Sequence, residues 1–242
     1  MNNLTIKNNE ILLMRYTELI RISACGNNAI RFQSFPDCQV IDENYTLMPQ
    51  KADAQIEEFD NHATLTCGTL KVKVEGNGKL TFFANEKKIL EEKPELTFNS
   101  NFRHFDNKGS GLWSARVMFE PNENEHFFGL GHSWDNEFDL KGSSIDIRNV
   151  NAKCTIPYVY SSLGYGFLWK TRQQVFASFQ TTVPVGVVIV AGLWILLLWQ
   201  VVLKKFAQLL QSLQVMHQKC LNGQRDSGRA DSVMKLKKSF FQ

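Results

Sequence analysis

The sequence has no CxxC pair and no cluster of histidines with cysteines; Cys25, Cys38, Cys67, Cys154 and Cys220 are scattered along it. Neither a zinc site nor a disulfide framework is indicated, and reduced, mostly buried thiols are expected. A charge surplus is missing too: 27 Lys+Arg against 24 Asp+Glu leave a formal net charge of +3, and the lysines are spread rather than clustered. Without a basic patch there is no electrostatic footprint for nucleic acid, so that partner is excluded. Near the amino terminus Lys7, Glu10, Arg15, Glu18 and Arg21 interrupt the apolar positions. That spacing leaves no signal-peptide hydrophobic region, and synthesis in the cytoplasm is the expectation. Finally, no helical period competes with the strand pattern between Ile11 and Phe128.

What is present is a chain of 242 residues, 43% hydrophobic, with room for one well-buried domain or two small ones. Short runs of Val, Ile, Leu, Phe and Thr are separated by turn residues every ten or so positions, which predicts an all-β sandwich. The clearest hairpin alternates apolar and basic residues from Leu70 to Val74, turns at Gly76, Asn77 and Gly78, and returns from Leu80 to Phe83. Such alternation sets one face on a core and the other in water. Ile30 to Phe32, Trp113 to Phe119, Tyr158 to Tyr160 and Tyr165 to Trp169 read as further strands.

The composition changes at about Lys170. From Val185 to Leu203 the chain is almost wholly apolar, with Gln200 its strongly polar exception, and Lys204 and Lys205 follow at once. At about 1.5 Å per residue such a run spans a bilayer as one helix with a basic flank. The tail from Phe206 to Gln242 is polar, basic and without period, and reads as disordered.

An ordered series of blocks then carries a resemblance: Phe127 to His132, Phe138 to Gly142, Asn151, Ile156 with Pro157, and Ser161 to Trp169. Over residues 1–170 the chain resembles the amino-terminal, galactose-mutarotase-like antiparallel β-sandwich of family 31 glycoside hydrolases, which include α-glucosidases and α-xylosidases. The resemblance implies a (β/α)8 catalytic barrel as the natural packing partner, and one sandwich loop that reaches over the barrel to shape the site for an α-linked carbohydrate. Arg148, Asn149 and Asn151 stand where that loop would be, with Asn149 where family members often carry an acidic residue. His132 and Trp134 could face a sugar, since ring nitrogens and aromatic faces suit polyols. No cofactor and no metal ligand set is implied. The glycines of these blocks are expected to serve positive φ or close backbone approach. Asp139 and Lys141 share one face as an exposed pair, and Asp135, Glu137, Asp139 and Asp146 are expected to be solvated.

The family does not continue into an apolar span, and regrouping the codons by one base near Lys170 removes the discrepancy. Ile195, Gln200, His217 and Lys235 follow Trp or Met codons ending in G, and in the shifted frame they become Asp, Ala, Ala and Glu. The same shift permits N-N-R-T-R-W at 181 to 186, like the family's continuation. Residues 171–242 are therefore expected to be an out-of-frame tail. By resemblance the two catalytic aspartates lie on the barrel, outside this frame, so the chain is expected to be an inactive carbohydrate-binding fragment. Two other readings are a membrane-tethered carbohydrate-binding module, if 185–203 is native, and an aldose mutarotase, which would use His126 or His132 with Glu125 or Asp135.

Overall fold

Period-two alternation is realised strand by strand. Leu70, Val72 and Val74 are fully buried, while Lys71, Lys73 and Glu75 between them keep solvent contact. The computed structural model describes residues 4–38, 52–94, 101–109, 112–132, 138–151, 153–169, 174–179, 185–190 and 194–200. In chain order the strands begin with β1 Leu4–Lys7, β2 Glu10–Arg15, β3 Glu18–Ala24 and β4 Ala29–Phe35. A 3-10 turn, Pro36–Cys38, follows. Next come β5 Gln55–Glu58, β6 His62–Cys67, β7 Leu70–Glu75, β8 Leu80–Ala84 and β9 Lys87–Lys93. Then follow β10 Arg103–Gly109, β11 Leu112–Phe119, β12 Phe127–His132, β13 Ser144–Ile147 and β14 Cys154–Ser161. The last are β15 Tyr165–Trp169, β16 Gln174–Ser178, β17 Val185–Val190 and β18 Trp194–Gln200. No α-helix occurs among the described residues.

One sheet runs in the order β1-β2-β3-β4-β18-β15-β14-β12, the other β13-β16-β17-β11-β9-β8-β7-β6-β5, with β10 also on β11. The pairings are antiparallel throughout, and β3 meets β6 and β4 meets β7 across the layers. The core between the sheets holds Ile11, Ile20, Ile22, Ile30, Phe32, Leu65, Val72, Phe82, Val117, Phe167 and Trp169. This is the expected antiparallel β-sandwich.

The apolar run from Val185 departs from the expected helix. Its described backbone is extended: β17 pairs with β11 and β16, and β18 sits between β4 and β15. Val185, Val187, Val188, Ile189 and Val190 are β-branched, which favours a pleated surface over a helix. β4 and β15 also each offer a ladder edge that β18 closes. Among the described residues no helix is long and apolar enough to cross a membrane. The tail expected to be disordered lies outside the described residues.

A buried charge node fastens the two layers. Arg103, with a side chain 0% exposed, donates from Nε to Glu18 Oε1 at 2.5 Å and from Nη1 to Glu92 at 2.5 and 2.6 Å. Its Nη2 donates to the Gly78 carbonyl at 2.7 Å, and its guanidinium lies 5.5 Å from the Phe32 ring centre. Glu92 also accepts from Leu80 N at 2.9 Å, and Ser34 Oγ donates to Glu18 at 2.5 Å. Glu18 and Phe32 belong to one sheet and Glu92 and Arg103 to the other, so the node fixes how the sheets sit on each other. Burial pushes the Glu92 carboxyl up against the pull of Arg103, and the two carboxylates hold the guanidinium protonated despite its own burial.

The thiols depart in part from expectation. Cys67 is buried, but Cys25 and Cys38 are half-buried and Cys154 is exposed; none of these four is in a disulfide. Cysteine at a strand end or turn has little side chain to draw it inward, so sequence alone does not fix its burial.

Candidate functional site

The candidate site forms at the free edge of the first sheet, where β12 ends. Opposite Val159 to Thr155 the β12 ladder shifts register between Gly129 and Gly131, with Leu130 at φ 61° and 5% exposed. The extra residues of this bulge lie on β14, and opposite them Leu130 is buried in the core. Gly131 has φ 83°, and a Cβ there would stand 2.2 Å from the Cys154 carbonyl oxygen. Only glycine permits that approach, as the expected structural role required.

Past the bulge His132 is exposed and pairs with Cys154. Asn149 joins it from the segment that leaves β13: its Oδ1 accepts from Thr155 N at 2.7 Å and from Thr155 Oγ1 at 3.0 Å. Thr155 is the ladder partner of Gly131, so Asn149 and His132 are brought to the same corner of the sheet. Asn151 is exposed in the turn closed by Lys153 N to Val150 O at 3.0 Å. Arg148, also exposed, is drawn back to Asp146 by an Nη2 to Oδ2 contact of 2.5 Å. Trp134 lies outside the described residues, as do Asp135 and Glu137.

Three expectations change here. Asp139 and Lys141 are not partners through their side chains. The Asp139 carboxylate takes Nδ1 of His126 at 2.5 Å and the backbone N–H groups of Lys141 at 3.1 Å and Phe127 at 3.4 Å, whereas Lys141 Nζ donates to the Glu123 carbonyl. Burial opposes ionisation of Asp139, but His126 and the two N–H groups outweigh it and hold the carboxyl below its usual range. Second, Asp139 and Asp146 are engaged rather than merely solvated. Third, Glu125 and His126 do not form the pair a mutarotase would need, because their side chains take different partners. Glu125 is 3% exposed and accepts from Ser161 Oγ and Tyr165, while the exposed His126 turns to Asp139. Burial raises the Glu125 carboxyl, with the Ser161 and Tyr165 hydrogen bonds opposing; burial and Glu125 together raise Tyr165 far above its ordinary value.

No gathering of three His, Cys, Asp or Glu side chains suited to a metal is present among the described residues. Exposed amides, a guanidinium and an imidazole around one corner can hydrogen-bond a polyol. The His126 to Asp139 pair was not legible in the sequence, since a separation of 13 residues carries no local period.

Residues 19–176 match the sequence model described as the glycosyl hydrolase 31 N-terminal galactose mutarotase-like domain, well over half of the chain. The chain belongs to this family. Among its relatives, an uncharacterised family 31 glucosidase of Pseudescherichia vulneris is 24% identical over 172 residues, 63% of this chain and 32% of that protein. Alpha-xylosidase A of Aspergillus niger is 29% identical over 97 residues, 40% of this chain and 12% of that protein. The family 31 fold recurs in a crystal structure of an α-xylosidase from a soil metagenome complexed with xylose, with a TM-score of 0.74 and 21% identity. There the match covers 81% of this chain and 32% of that one. A Flavobacterium johnsoniae family 31 dextranase complexed with glucose matches with a TM-score of 0.65 and 17% identity, over 81% of this chain and 26% of that one. The family 31 chain described here thus spans about a third or less of the proteins it resembles.

Proposed function

We propose that this chain is the substrate-shaping, carbohydrate-binding sandwich of an α-glycosidase that hydrolyses O-glycosyl bonds in the cytoplasm, and that these 242 residues by themselves hydrolyse nothing. The observation that carries the reading is the corner where Asn149 is locked onto Thr155 beside His132, within a sandwich of family 31. Asn149, Asn151, Arg148 and His132 contact the sugar there, weakly without a barrel to complete the site. The α-xylosidase neighbour bound to xylose and the dextranase bound to glucose support a sugar as the ligand class. Retaining glycosidases need two carboxyl groups about 5 to 5.5 Å apart. Of the acidic groups in the described region near this corner, Glu125 is enclosed by Ser161 and Tyr165, and Asp139 and Asp146 are tied to His126 and Arg148.

Residues 171–242 belong to a shifted reading frame. The resemblance blocks end at Trp169, beside the Lys170 codon, and the family match ends a few residues beyond it, at Phe176. Resequencing the DNA there tests this: one missing base opens a full hydrolase frame, and an intact frame with the same apolar run in related genes refutes it. The binding claim is tested by titrating the chain with xylose and glucose. Asn149→Ala and His132→Ala are expected to weaken binding several-fold; binding indifferent to both overturns the site.

A further inference from the structure

The outer face of the second sheet carries a second polar groove, remote in the ladder order from the β12 edge and not used by the proposed loop. Ala63, Leu65, Val72 and Val74 alternate inward, which turns His62, Lys73 and Glu75 outward on β6 and β7. His62 stands directly opposite Glu75, and the adjoining turns add Asn61 and Asn77. These residues border a groove of about 420 Å3, a size that admits one or two sugar rings. Phe59 does not line the groove but stacks on His62, which does, with 4.4 Å between ring centres and 9° between planes, and remains 48% exposed.

The groove is held in shape by backbone bonds. Phe59 N donates to His62 O at 2.8 Å, Gly76 N to Asn61 O at 2.9 Å, Gly78 N to Glu75 O at 2.8 Å and Glu75 N to Lys79 O at 3.0 Å. Lys73 Nζ donates to Glu75 Oε1 at 3.0 Å, so the groove carries both charges in balance. Asn77 Oδ1 is fixed by Lys79 N at 2.9 Å, whereas its Nδ2 reaches Glu75 Oε2 only at 3.4 Å, a bond long enough to yield to a better acceptor.

We infer that this groove is a second carbohydrate site, in which the exposed part of the Phe59 ring stacks on a pyranose face while Asn77, Glu75, Lys73 and Asn61 hydrogen-bond its hydroxyls. A balanced Lys73 to Glu75 pair gives neither an anion nor a cation a net attraction. An apolar partner would desolvate the Lys73 to Glu75 pair and the amide of Asn77 without offering them a new hydrogen bond, which costs free energy. A neutral polyol meets both requirements: its hydroxyls donate and accept, and its axial C–H groups suit the negative face of an aromatic ring. The inference does not depend on the Asn149 corner.

The test is calorimetric titration of the full chain with maltotriose and, separately, with an α-xylosyl disaccharide. Binding of at least one is expected, with a component that Phe59→Ala and Asn77→Ala each weaken at least tenfold and that persists in Asn149→Ala, where any contribution of the corner is removed. Phe59 and Asn77 are exposed, so both variants should keep the wild-type melting profile. Binding of neither sugar, or binding lost only in Asn149→Ala, overturns the inference; the second result would leave the corner proposal standing.

Discussion

Arg103→Met removes the guanidinium that Glu18, Glu92 and the Gly78 carbonyl share. Glu18 keeps 13% exposure and can regain water, but Glu92 has 0% and cannot. Breaking a buried pair by deleting one member costs about 3 to 5 kcal/mol, because the other charge is stranded. Against a typical domain stability of about 5 to 15 kcal/mol that is a large share. Arg103→Met combined with Glu92→Met removes the stranded charge as well. What remains is a Leu80 N–H without its acceptor and a Gly78 carbonyl without its donor, about 1 to 3 kcal/mol each, set against apolar replacement of an ion pair, which is often neutral or favourable. The double variant should therefore be more stable than the single one, although it carries more changes. In Arg103→Met the folded-state pKa of Glu92 lies above its unfolded value, so the deficit shrinks as pH falls below that pKa and grows as pH rises through it. Urea unfolding followed by circular dichroism measures both. A single variant within about 1 kcal/mol of wild type, or a double variant no better than the single, would refute the stranded-charge reasoning.

Gly166→Ala places a Cβ 2.1 Å from the Tyr158 hydroxyl oxygen and 2.7 Å from its Cζ, so the ring must move. A destabilisation of about 1 to 3 kcal/mol is expected in the same unfolding assay, and Tyr158→Ala in the Gly166→Ala background should remove the clash itself. Glu125 has a raised folded-state pKa, so its stabilising contribution is present at low pH and lost as pH rises through that value. Glu125→Gln does not titrate, and its melting temperature should gain on wild type as pH rises above the ordinary Glu value of about 4.3; a constant difference would contradict the burial argument. Cys154, exposed beside the site, should react with a thiol reagent in the native state, whereas Cys67 should react only after unfolding.

The strand pattern was legible in β7 because one face is buried residue by residue, whereas β15 is buried at all five positions and was legible as a short apolar run closed by turns. The glycine blocks were legible as geometry, and Gly131 against Cys154 shows why. The apolar run from Val185 misled because a run of that length satisfies a bilayer and a two-layer sheet equally well, and only pairing with β4, β11 and β15 decides between them. Partner choice at the site was the least legible part. His126 to Asp139, Glu125 to Ser161 and Asn149 to Thr155 join different elements through a bulge and turns, and no periodicity encodes such joins. The charge node was hidden for the same reason: Arg103 and Glu18 are 85 residues apart.

A division between sugar recognition and bond cleavage is tested most directly by incubating the purified 242-residue chain with the 4-nitrophenyl α-glycosides of xylose and glucose beside a mock preparation. No nitrophenol above the mock level is predicted with either substrate. Release above it, abolished by substitution of an acidic residue within the chain, would contradict the account.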